Sequence, residues 1–383
     1  MESMIQRPEL AERIRHALRS HPIAALIGPR QCGKTTLARQ IAEAEQSEFF
    51  DLEHPVSLDR LANPMTALEP LRGLVVLDEV QRKPELFPIL RVLADRKPAP
   101  ARFLLSGSAS PDLIRGSSET LAGRIAFIDM AGFSLSEVGN PSLRRLWFRG
   151  GFPRSFLAAN DEESREWRLY FIQSFLERDI RAFGVQVPPL TLRRLWNMLA
   201  HYHGQIWSAS EISRSLGEAH TTIKRHLDIL TGALMIRQLP PWFENLGKRQ
   251  VKAPKVYLRD TGLLHEFLGL DSFARLEGHP KLGASWEGFV IGEVLQITGE
   301  RNAYFWATHG GHELDLFLLW RGMRLGIEVK YSDAAAMTRS MHTAMADLRL
   351  DRLLVVYPGQ KSYPLAEKAE AVAISDLSER LKA

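Results

Sequence analysis

Eight consecutive residues carry the clearest chemistry in this sequence: Gly28-Pro29-Arg30-Gln31-Cys32-Gly33-Lys34-Thr35. Their spacing is G-x-x-x-x-G-K-[ST], the pattern of a phosphate-binding loop. Gly28 and Gly33 let the backbone wrap closely around phosphate oxygens, and the N–H groups at a helix start point at the anion. Lys34 supplies a mobile positive charge to the β- and γ-phosphates, Thr35 a hydroxyl ligand for Mg²⁺, and Thr36 continues into the helix. A second group stands at Asp78-Glu79, where the apolar run Leu74-Val-Val-Leu77 ends. There Asp78 would hold Mg²⁺ and Glu79 would orient and deprotonate an attacking water. Ser106, closing the run Arg102-Phe-Leu-Leu105, could touch the γ-phosphate or that water, or could be an ordinary turn residue.

These residues need a scaffold that brings strand ends together. Ile23-Ala-Ala-Leu-Ile27 reads as a buried strand entering the loop, and Thr36-Leu-Ala-Arg-Gln-Ile41 as the first turns of a helix. Strands near 23–27, 48–52, 74–78, 102–106 and 125–129 alternate with helical segments, and an amphipathic helix over 9–20 leads into the first. That alternation predicts an α/β core, a parallel sheet flanked by helices, with its site at the carboxyl edge. The core is expected to span 1–150.

The 383 residues predict two or three domains. With 45% hydrophobic and 25% charged residues the composition is that of a soluble globular protein. A net charge of +4 and a pI near 9.2 permit nucleic-acid contact without arguing for it. The single cysteine, Cys32, excludes a disulfide framework or zinc cluster within one chain and suggests a reducing, cytoplasmic setting. The N-terminus has no apolar signal core, and no apolar stretch is long enough to span a bilayer.

Residues 151–250 change character. A long amphipathic helix is expected from Glu162 to Phe183 and another from Leu190 to Tyr202. The segments Ser208–Leu216 and His220–Leu230, separated by Gly217, predict a helix-turn-helix, with Ser208 and Thr221 as helix N-caps. In a DNA reader Thr221, Thr222, Lys224 and Arg225 would face the groove; the same fold also serves as a lid that binds no DNA. The basic run Lys248-Arg249, Lys252 and Lys255 could bind phosphates or be a solvated face.

Over 251–383 the predicted order is αβββαβ. Glu313 and Asp315 share one strand face, and Glu328 and Lys330 share a face of the next strand across a turn at Arg321-Gly322. Carboxylates so placed beside apolar surface need paired partners or a metal. Asp315 and Glu328 could hold Mg²⁺, with Lys330 steadying a phosphate and Glu287 completing the site; a cross-strand salt-bridge ladder explains the same spacing.

With these residues in place, the chain resembles the prokaryotic AAA-type ATPases that carry a DUF4143 C-terminal domain. Beyond Gly28–Thr35 and Leu77-Asp-Glu79, the matching segments include Leu121-Ala-Gly-Arg124, Gly150-Gly-Phe-Pro153, Glu177-Arg-Asp-Ile180, Lys252-Ala-Pro-Lys-Val-Tyr257, Arg259-Asp-Thr-Gly-Leu263 and Trp286-Glu287. The resemblance implies ATP and Mg²⁺ as ligands and ATP hydrolysis. It implies a winged-helix middle segment and a C-terminal fold similar to PD-(D/E)xK nucleases, with DNA or a partner protein as the object. ATPases of this class often complete a site with an arginine from a neighbouring subunit, so a nucleotide-dependent homo-oligomer is expected, with Arg124 the candidate and Arg115 behind it.

Overall fold

The computed structural model describes residues 5–98, 101–108, 120–180, 187–243 and 253–382. The chain groups into two compact units, one made chiefly of residues 1–132 and one chiefly of 133–383. No helix among the described residues is long and apolar enough to cross a membrane.

The first unit is built on a five-stranded parallel sheet. Its strands are β1 (Ile23–Gly28), β2 (Ser47–Asp51), β3 (Gly73–Asp78), β4 (Ala101–Ser108) and β5 (Ile125–Asp129), in the order β2-β3-β4-β1-β5. The five strand positions read from the sequence are all present; the three central strands, buried along nearly their whole length, show as apolar runs. β1 is buried along its whole length, between β4 and β5. Helix α1 (Pro8–Ser20) precedes it and α2 (Lys34–Glu43) follows the loop. Ile23, Val75, Leu77, Phe103 and Leu105 of the strands pack with Leu86, Phe87 and Leu90 of helix α3 (Leu86–Ala94) in one core.

The second unit begins with short helical turns and helix α4 (Asp161–Ser174), capped by the Asn160 side chain. The single helix expected over Glu162–Phe183 instead changes at Phe175–Asp179 into a wider π-helical turn; residues 181–183 lie outside the described part. Helix α5 (Pro189–His201), β6 (Gln205–Ile206), α6 (Ala209–Leu216), α7 (His220–Gly232), β7 (Ile236–Leu239) and β8 (Lys255–Leu258) follow. The three strands form an antiparallel sheet in the order β6-β8-β7. Ser208 caps α6 by accepting from the Glu211 N–H, and Gly217 ends it in a left-handed turn. α7 begins at His220, so Thr221 lies inside the helix and not at its cap.

The remainder is a six-stranded mixed sheet, β13-β14-β12-β11-β10-β9. Helix α8 (Leu282–Thr298) precedes β9 (Ala303–Ala307), β10 (Glu313–Trp320) and β11 (Met323–Val329); α9 (Arg339–Asp347) precedes β12 (Arg352–Tyr357). Arg321 and Gly322 both take positive φ, 51° and 79°, as a tight two-residue hairpin requires. The hairpin β13 (Tyr363–Ala366) and β14 (Ala369–Ala373) extends the expected αβββαβ order.

Two of the sequence segments singled out above lock each other. The Asp260 carboxylate accepts from the N–H of Gly151 at 2.8 Å and of Leu263 at 2.9 Å. Gly150, at φ 79°, passes so close that an added Cβ would lie 2.2 Å from Asp260 Oδ1, and one on Gly262 would lie 2.0 Å from the Arg149 carbonyl oxygen. Backbone cannot give way as a side-chain tip can. Gly262→Ala is therefore expected to cost more than about 2 kcal/mol, whereas Gly292→Ala, inside α8 with open space at its Cβ, should gain up to about 1 kcal/mol. Denaturant unfolding of both variants checks this; equal midpoints would remove the close approach as a constraint.

Candidate functional site

The phosphate-binding loop leaves the carboxyl end of β1 and enters α2 with Gly33 at its N-cap. Gln31 and Gly33 take left-handed φ values of 62° and 98°. Left-handed residues in such a turn swing successive N–H groups to one side, the arrangement that holds an anion. The loop is held close to β5: the Met130 N–H donates to the Ile27 carbonyl at 2.8 Å, and a Cβ on Gly28 would lie 2.4 Å from the Met130 oxygen. Cys32 is fully buried, its thiol facing that same oxygen, so it fills the loop's underside. The Lys34 ammonium donates to the Gly28 and Pro29 carbonyls at 3.0 and 2.8 Å. Thr35 is half-buried at the start of α2, while Thr36 and Gln31 are exposed.

Sheet order brings the second group beside the loop. β4 lies between β1 and β3, with Ser106 in register with Asp78 and Ser108 in register with Gly28. Asp78 is 1% exposed, and the Ser106 hydroxyl donates to its Oδ1. The Ser106 hydroxyl is thus bonded to Asp78 in this structure. Ser108 is also buried, and its hydroxyl has no hydrogen-bond partner among the described residues. Only Ser106 was singled out from the sequence; a serine two residues beyond it on the same strand face was the available signal. Glu79 follows in a left-handed conformation, φ 55° and ψ 44°, which a non-glycine residue adopts at a cost. Its carboxylate accepts from the Gln81 amide. Burial raises the Glu79 pKa above the ordinary carboxylate value, against the pull of Lys34.

Arg124 forks onto Asp95 through Nε at 2.6 Å and Nη2 at 2.8 Å. Arg115 lies outside the described residues.

On α7, Thr221, Lys224 and Arg225 are exposed at i, i+3 and i+4, while Ile223, Leu227 and Leu230 are buried; Thr222 is half-buried. Lys248, Arg249 and Lys252 lie outside the described residues.

Lys255, read from the sequence as a member of that basic run, is instead 3% exposed. Val256 and Leu258 are buried too, and the period of two sends Lys255 and Tyr257 the same way. The Lys255 ammonium lies 3.2 Å from Glu287, 3.6 Å from Asp315 and 3.9 Å from Glu313. The Tyr257 hydroxyl donates to Glu287 Oε1 at 2.5 Å, and the Val329 N–H donates to Asp315 Oδ2 at 2.9 Å. Lys330 donates to Glu328 Oε1 at 2.8 Å, while Glu328 Oε2 is buried without a partner among the described residues. The structure therefore brings Glu287, Asp315, Glu328 and Lys330 together, with Lys255 and Tyr257 added. Burial, reinforced by Asp315, pushes both Glu287 and Glu328 above the ordinary carboxylate range. Burial alone would lower the Lys255 pKa, but Tyr257, Glu287, Asp315 and Glu313 outweigh it and hold the ammonium well above the usual lysine value.

Comparison with known proteins divides the chain in three. The AAA domain family matches residues 20–139, a domain of unknown function (DUF8612) matches 140–274, and the domain of unknown function DUF4143 matches 282–377. Two uncharacterized proteins, from Mycobacterium bovis and Mycobacterium tuberculosis, are each 50% identical over 369 residues, 96% of this chain and 84% of theirs. A Walker-type ATPase of Pyrococcus abyssi shares the fold with a TM-score of 0.50 and 16% identity, over 70% of this chain and 97% of its own.

The Ser106–Asp78 hydrogen bond makes a testable unit. Ser106→Ala should weaken affinity for a Mg²⁺–nucleotide about tenfold, the loss of one charge-assisted hydrogen bond, and should add nothing further in Asp78→Asn. Titration of a fluorescent nucleotide analogue on the four members of the cycle measures this; additive losses would separate the two residues.

Proposed function

Because the chain belongs to the AAA-type ATPases that carry a DUF4143 C-terminal domain, we propose that it hydrolyses ATP at the carboxyl edge of its parallel sheet and that the nucleotide gates DNA binding by the helix-turn-helix. The observation that carries hydrolysis is the placement of Glu79. It directly follows Asp78, which ends a strand one removed from the phosphate-binding loop, and it is held in a strained left-handed conformation with a raised pKa. A carboxylate so raised is a better proton acceptor near neutral pH than a free one.

The residues divide the work by position. Lys34 exchanges its two carbonyl contacts for β- and γ-phosphate oxygens. The N–H groups around Gln31 to Thr36 cradle the phosphates. The Thr35 hydroxyl and the Asp78 carboxylate, the latter steadied by Ser106, are an oxygen donor pair that suits Mg²⁺. When bound, Mg²⁺ neutralises charge on the phosphoryl oxygens. Glu79 orients a water and takes its proton, and Ser108, buried in register with Gly28 and without a hydrogen-bond partner among the described residues, is a further hydroxyl at the end of β4. Arg124 is assigned to the site of a neighbouring copy in a nucleotide-dependent homo-oligomer, where phosphate would replace Asp95 as its partner.

DNA is the favoured object of the helix-turn-helix. The chain order α5-β6-α6-α7-β7-β8 with sheet order β6-β8-β7 supports a winged-helix reading, and α7 presents Thr221, Lys224 and Arg225 outward. A lid or protein-binding surface is the competing outcome.

Lys34→Ala is expected to abolish ATP binding. Glu79→Gln should bind ATP normally and hydrolyse it at least about a hundredfold more slowly. Because the folded Glu79 carboxyl titrates above its ordinary value, wild-type kcat should rise with pH through that raised pKa; normal turnover in Glu79→Gln would remove it from the base role. Arg124→Ala should keep ATP affinity and lose turnover, and light scattering should record a mass increase on adding ATP; a strictly monomeric active enzyme sinks the trans arginine.

If α7 reads DNA, Lys224→Ala and Arg225→Ala should each lower the salt slope of DNA binding by about one unit, and DNA should stimulate the ATPase. Absence of binding at low salt, with ATP present, would leave α7 a lid or protein surface.

A further inference from the structure

The acid–lysine pattern of the C-terminal domain would, in a metal-dependent nuclease, surround a divalent cation. The residues here do not fit that role. Among the described residues no group of three or more His, Cys, Asp or Glu side chains is arranged to hold a metal ion. One oxygen of each of the carboxylates Glu287, Asp315 and Glu328 is already engaged. Asp315 Oδ2 takes the Val329 N–H, Glu287 Oε1 takes both Tyr257 and Lys255, and Glu328 Oε1 takes Lys330.

We infer that Lys255 is a built-in cation, its ammonium seated among Glu287, Asp315 and Glu313 in the place a divalent metal would take, so that the C-terminal domain keeps the nuclease-like residues without the metal. Three observations carry this. The lysine side chain is 4% exposed and touches three carboxylates. It is delivered by β8, where Ile206 and Leu239 are its register partners on either side, so the antiparallel sheet fixes its reach. Its neighbour on the same strand face, Tyr257, ends on the same Glu287 oxygen.

A divalent cation brought within reach of Glu287 and Asp315 would face the buried Lys255 ammonium directly, a like-charge repulsion out of water that is unfavourable unless the lysine leaves. The inference reaches past ATP hydrolysis and does not depend on it: β8 falls within the DUF8612 match and the carboxylates within DUF4143, so one segment plugs the acidic site of the next.

The test uses full-length protein without nucleotide and Mn²⁺ alone as probe, read by loss of the free-ion paramagnetic resonance signal and by the Mn²⁺-dependent change in Tm. Wild type should show no Asp315-dependent Mn²⁺ binding. Lys255→Met should bind one Mn²⁺ at least about tenfold more tightly than wild type, with a Tm rise that Asp315→Asn in the same background removes. If Lys255→Met does not fold, the double variant Lys255→Met/Glu287→Gln should recover the fold, because it removes one charge of each sign. An Mn²⁺ site in wild type that Asp315→Asn abolishes overturns the inference. So does a folded Lys255→Met with no gain in Mn²⁺ affinity, or failure of the double variant to recover the fold. ATP turnover by the same preparations is a separate readout, so loss of the ATPase reading leaves this result interpretable.

Discussion

A charge removed from water must be met inside the protein, and that requirement organises the second unit of this chain. Lys255 is surrounded by Glu287, Asp315 and Glu313; Arg168, 1% exposed, faces Glu266; Arg237 and Arg259 both meet Glu300. In the last case burial would raise Glu300, but the two guanidinium groups hold it down at about 2. Such pairs add little net stability over well-packed apolar residues, yet breaking one leaves an uncompensated charge. Asp260 shows the neutral-donor version: its carboxylate takes the N–H groups of Gly151 and Leu263, and the space it needs leaves no room for a side chain at Gly150.

The first unit depends on strand order instead. Parallel strands bring their carboxyl ends to one edge, and the order β2-β3-β4-β1-β5 puts β4 between the phosphate-binding loop and Asp78. Ser106 and Ser108 of β4 are both buried, the first bonded to Asp78 and the second in register with Gly28. The glycine and left-handed residues of the loop supply curvature, and the loop's underside lies close against the Met130 oxygen.

Much of this was legible from local pattern. Apolar runs located the three central parallel strands and alternation with helices the two outer ones, and Ser208, Gly217 and Arg321-Gly322 marked a cap, a helix end and a hairpin, because each of those last features is decided by one or two residues. Where the pattern was weak it misled. Helical periodicity continued past Phe175, although the backbone there widens into a π-helical turn. Thr221 had cap chemistry but lies one residue inside α7. The hairpin at Tyr363–Ala366 and Ala369–Ala373 carried no strong alternation and went unread.

The sequence by itself determined the phosphate-binding loop, the acidic strand end and the acid–lysine spacing, since each depends on residues a few positions apart whose geometry the backbone dictates. It did not determine what meets those groups. Lys255 sits in a run of basic residues, and nothing within ten positions distinguishes a solvated lysine from a buried one. Only the pairing of β8 with β6 and β7, and the approach of α8, β10 and β11, turn its ammonium toward three carboxylates. The same holds for Ser106, whose partner lies in a neighbouring strand. The electrostatic role of a side chain is set by charges and dipoles within a few ångströms, and those come from segments far apart in the chain.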